Sequence, residues 1–69
     1  MSKYQIAKNI LRGIAYDAKS EHRGDKPCIR QIINDSADQI CRGYLGYGDL
    51  SEYQKNLLHN YACKLHPKD

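Results

Sequence analysis

A chain of 69 residues with 11 Lys/Arg, 8 Asp/Glu and a net charge of +3 makes one domain at most, and domains of this size bury proportionally little surface. That excludes a large enzyme cleft with independently supported walls, and the small charge excess does not by itself specify nucleic acid. Six Tyr residues, with no Phe or Trp, carry all the aromatic volume, and tyrosine suits core margins and interfaces better than core centres.

The first element is expected over residues 2–19. Ile6, Ala7, Ile10, Leu11, Ile14 and Ala18 fall on one side of a helical wheel. Ser2 is its N-cap. Gly13 sits inside the helix at a cost of about 1 kcal/mol against Ala, suggesting close approach by another backbone. Lys8, Arg12 and Lys19, with Tyr16 beside them, line the side away from the isoleucines. A cationic stripe with an aromatic suits phosphates or an acidic protein, although solvated helix faces also read this way.

The polar linker 20–24 precedes Asp25, a good N-cap, with Pro27 in the first turn where proline is tolerated. The second helix is expected over residues 26–42, with Ile29, Ile32, Ile33, Ser36, Ala37, Ile40 and Tyr44 on its apolar side. Cys28 lies in its first turn, where the helix dipole lowers a thiol pKa, and His22 is near in sequence. No strand-to-helix nucleophile turn surrounds them, so no catalytic role is assigned and the protein is not read as an enzyme. Arg23-Gly24-Asp25 spells an integrin-type tripeptide, but Asp25 is the expected helix cap and the match is ascribed to chance.

Three glycines in the run 43–48 supply positions for a helix exit and turn. Tyr44, Leu45 and Tyr47 stand among them as the preferred partner-binding residues, because tyrosine buries area at low entropic cost. Asp49 or Ser51 caps the third helix, expected over residues 50–65. Its stripe is Leu50, Tyr53, Leu57, Leu58, Tyr61, Ala62 and Leu65, and Pro67 stops it. His59, Cys63 and His66, at i, i+4 and i+7, are three residues of zinc-ligating type on one stripe. They lie opposite the Leu57/Tyr61/Leu65 side without the paired spacing of a zinc finger. The expectation is a solvated face, with no metal and no cofactor assigned.

Charge is polarised along the chain. Residues 1–30 hold seven Lys/Arg against three acids, 31–54 one against four, and 55–69 three against one. Three cysteines without an apolar leader fit a reducing cytoplasm, and no apolar run approaches membrane-spanning length. The expected fold is therefore all-α, a small three-helix bundle forming a single domain over 1–69. The expected function is a non-enzymatic accessory or regulatory protein, of the kind found among bacteriophage and mobile-element genes, that binds and modulates a partner protein. Its contacts would be Tyr44, Leu45 and Tyr47 with Lys8, Arg12, Tyr16 and Lys19. The alternative is a small nucleic-acid-binding factor using the basic faces of helices 1 and 3. A domain this small is also compatible with homo-oligomerisation.

Overall fold

A computed structural model describes residues 2–43 and 50–68. It shows three α-helices packed into a bundle, α1 over Lys3–Glu21, α2 over Lys26–Cys41 and α3 over Glu52–Leu65. Each start is fixed by a side chain that satisfies an otherwise orphaned backbone donor. The Gln5 N–H donates to Ser2 Oγ at 3.1 Å and the Cys28 N–H to Asp25 Oδ1 at 3.3 Å. At α3 the Gln54 N–H donates to Ser51 Oγ (3.2 Å) while the Ser51 N–H donates to Gln54 Oε1 (3.1 Å), a reciprocal capping box. Ser51, not Leu50, therefore sets the start of α3.

Between α1 and α2 the chain turns through Gly24 at φ +88°, a left-handed conformation that costs any L side chain. The His22 N–H donates to Ala18 O and the Asp25 N–H to His22 O, both at 2.9 Å. This closes α1 two residues later than its apolar pattern suggests. Gly43, at φ +85°, does the same work after α2, its N–H donating to Ile40 O at 3.1 Å.

Ala7, Leu11, Ala15 and Ala18 of α1, Ile29, Ile33, Ala37, Ile40 and Cys41 of α2, and Leu50, Leu58 and Ala62 form one continuous core. Small alanines alternate with branched side chains, which lets the helices approach closely while the large residues interdigitate. Burying each of Leu11, Ile33, Ile40 and Leu58, the largest fully enclosed side chains, contributes about 1.5–3 kcal/mol.

Two expectations about the core are corrected. On α1 the buried stripe is centred on Ala7, Leu11, Ala15 and Ala18, while Ile6, Ile10 and Ile14 are half-buried on its flank. The core thus pairs the narrow alanines of α1, with Leu11, against the larger isoleucines Ile29, Ile33 and Ile40 of α2. On α3, Tyr53 does not join the core and is 72% exposed.

Gly13 is also corrected. It is exposed, and a Cβ built there meets nothing within 4 Å. Among the described residues no backbone approaches it closely, which leaves the helix penalty. Gly13→Ala is expected to stabilise the fold by about 0.5–1 kcal/mol, read as a higher midpoint in thermal or urea unfolding. A lower midpoint would show that this position is covered.

Direction along the bundle follows from two contacts. His59 faces Cys41 and His66 faces Asn34, so seven residues forward on α3 match seven back on α2. The two helices are antiparallel, and α3 ends near Asn34, the middle of α2. Since α2 begins at Lys26, the far end of α1 and the start of α2 project about 12 Å beyond the end of α3.

Candidate binding surface on α1

Lys8, Arg12, Tyr16 and Lys19 are spaced so that a 100° step per residue keeps them within one outer quarter of α1. The helix's own acids, Asp17 and Glu21, lie about 100° or more further round the axis. Beyond the helix end, Arg23 continues the row. Tyr16, Lys19, Ser20 and Arg23 together line a shallow depression of about 240 Å³. From Lys8 to Arg23 the row spans roughly 22 Å at helical rise, with Tyr16 near its centre.

Side-chain contacts distinguish the two ends of this row. Lys8 is half-buried and its ammonium lies 4.8 Å from the centre of the Tyr61 ring on α3, an attraction worth about 0.5–1 kcal/mol near a surface. It is therefore a seam residue as well as a surface cation. Arg12 is exposed and donates through Nη2 to Asn9 Oδ1 at 3.3 Å, an oxygen that also accepts from Gln5 Nε2 at 3.1 Å. That bond holds the guanidinium along the helix and leaves its charge available. Tyr16 is 74% exposed, an aromatic ring with little of its area removed from water. The negative end of the helix dipole favours cations at Lys19 and Arg23, but it gives no account of the exposed ring between them and Arg12.

Other cations are spent within the fold. Arg42 Nε lies 3.1 Å from Asp38 Oδ2 and Lys55 Nζ 3.4 Å from Glu52 Oε1, so the acidic stretch partly neutralises itself on the α2 and α3 side. Tyr61, half-buried, ties α3 to the cationic row, and Lys64, exposed three residues later, turns to the same side of α3 by helical spacing. The basic faces of helices 1 and 3 thus adjoin each other. The turn residues Tyr44, Leu45 and Tyr47 lie outside the described residues.

The histidine stripe is largely the expected solvated face, with His59 exposed and His66 half-buried, and its two rings also reach side chains of α2. His66 Nε2 lies 2.7 Å from Asn34 Oδ1 and His59 Nε2 3.6 Å from Cys41 Sγ. Both rings lean on α2, across the seam from Tyr61. Cys63, between them, is exposed. Among the described residues no three His, Cys, Asp or Glu side chains converge in a way that could hold a metal ion.

Burial pushes the Cys41 thiol above its ordinary value of 9.0; Lys55 pulls the other way, and Asp38 and Glu52 add to the rise. A raised thiol pKa is the opposite of what activates a cysteine nucleophile. It also fixes a sign for stability. The folded state favours the neutral thiol, so this contribution is intact below pH 9 and is lost as pH climbs through the higher folded value. The urea midpoint should fall more steeply from about pH 8 to about pH 10.5 for the natural chain than for Cys41→Ala. Equal slopes would show that the thiol is not desolvated.

No described helix is long and apolar enough to cross a membrane. The fold and surface define a small helical bundle with a cationic, tyrosine-centred flank. Compared with known protein families, curated proteins and solved structures, the chain matches none.

Proposed function

We propose that this protein is a non-enzymatic accessory module that acts by binding a partner protein through the α1 flank. The observation that carries the reading is Tyr16, 74% exposed and set between Arg12 on one side and Lys19 and Arg23 on the other. Tyrosine and arginine at the centre of a patch are the residues that most often carry binding energy.

Nucleic acid is the second reading, favoured by the junction of the two basic faces at Lys8 and Tyr61. It is the weaker one. Phosphate binding strengthens with the number of cations facing the backbone, and Arg42 and Lys55 are paired with acids elsewhere in the fold.

A tagged pull-down from nuclease-treated lysate, eluted in salt steps, separates the two. A protein retained by the natural chain and released by Tyr16→Ala is the expected result. Nothing bound once nuclease is added, with nucleic acid bound before, would put the phosphate reading in its place.

A further inference from the structure

We infer that the row from Arg12 to Arg23 takes an acidic segment of its partner, with carboxylates along the row and one bulky apolar side chain in the depression beside Tyr16. This rests on the partner-protein reading and names the chemistry of the occupant. Three features of the surface lead to it.

The first is sign. Arg12, Lys19 and Arg23 stand along one flank whose nearest helical acids, Asp17 and Glu21, point elsewhere on the wheel. A row of like charges, about 10 Å apart between Arg12 and Lys19 and about 6 Å between Lys19 and Arg23, is complemented by a row of opposite charge on a ligand. Steering by such a row raises association rates and rejects basic partners.

The second is the depression itself. It is lined by Tyr16, Lys19, Ser20 and Arg23. Lys and Arg present aliphatic stems below their charged heads. A bulky apolar side chain can therefore lie against ring and stems while neighbouring carboxylates meet the ammonium and guanidinium. Ser20 can accept or donate one hydrogen bond to the backbone that passes over it. Arginine at Arg12 and Arg23 additionally suits carboxylates through its planar fork.

The third is position. The end of the α1–α2 pair projects beyond α3, since α3 ends opposite Asn34, so one side of this flank has no neighbouring helix to cover it. A ligand segment there buries Tyr16 without displacing any element of the fold.

The test uses the full chain, amide-resolved NMR and three unlabelled probes. They are a short peptide of glutamates around one leucine, the same peptide with glutamine for every glutamate, and an oligothymidylate of similar length. Binding of the glutamate peptide should shift the amides from Arg12 to Arg23. The glutamine peptide, and the charge-reversed chain carrying Lys19→Glu and Arg23→Glu, should each bind about tenfold more weakly or worse. Arg23→Gln, outside any helix, repeats the test without reversing charge at the helix end. Equal affinity for the glutamine peptide, shifts scattered over all surface lysines, or tighter binding of the oligothymidylate with a steep salt dependence would each overturn the assignment. Two outcomes separate it from the broader reading. A partner protein captured equally well by the charge-reversed chain would sink the acidic-segment assignment and leave partner binding standing. Glutamate-peptide binding on the row with no protein captured from lysate would do the reverse.

Discussion

Leu11→Ala is expected to leave the chain largely unfolded at room temperature. Leu11 is fully buried at the centre of α1, where both other helices converge on one small core. Removing such a leucine costs about 2–5 kcal/mol, the transfer term plus the cavity left behind. After the entropy cost of folding, a domain of this size keeps a net stability of only about 3–5 kcal/mol. Circular dichroism during thermal unfolding would read the loss. Ile14→Ala is the informative control, because Ile14 is half-buried on the flank and should cost clearly less. If Ile14→Ala proved the worse of the two, the bundle would be centred on the isoleucine row and the packing described above would be wrong.

The second large effect concerns binding. Tyr16→Ala should weaken the partner complex by roughly thirtyfold, the consequence of losing one hot-spot residue worth about 2 kcal/mol. The same change should move the unfolding free energy by no more than about 0.5 kcal/mol, as expected for a surface position. Tyr53→Ala supplies the comparison. Tyr53 is equally exposed, at 72%, but it stands at the start of α3, near the opposite end of the bundle from the depression. It should leave binding unchanged if the Arg12–Arg23 row is the contact. Calorimetry or surface-captured binding with the purified partner would measure both. An effect at Tyr53 and none at Tyr16 would move the contact to the other end of the bundle, where α3 begins.

Most of the architecture was legible in the residues because helix-forming signals are local. Ser2, Asp25 and Ser51 announce the three starts through side-chain oxygens that satisfy backbone donors three residues on. Gly24 and Gly43 mark the positive-φ positions at the exits, and 3.6-residue periodicity separates an inside from an outside. The cationic row was equally readable, since Lys8, Arg12, Tyr16 and Lys19 need only one helix to align them.

What the sequence left open depends on how three helices meet. On α1 the wheel groups Ile6, Ile10 and Ile14 with Ala7, Leu11 and Ala18; packing against two neighbours buries the last three together with Ala15 and leaves the isoleucines half-buried. The same reading puts Tyr53 inside, whereas α3 turns it to solvent. The histidines keep solvent exposure on α3, but their contacts with Cys41 and Asn34 exist only once α2 is set beside them. Lys8 looked free until Tyr61 of α3 came under it, and Arg23 joined Tyr16 and Lys19 only through the turn that carries the chain past α1. Hydrogen bonds within a few residues and helical repeat determine the elements and one face of each. Which faces meet, and which side chains are left standing on the outside, are decided by packing between segments far apart in the chain.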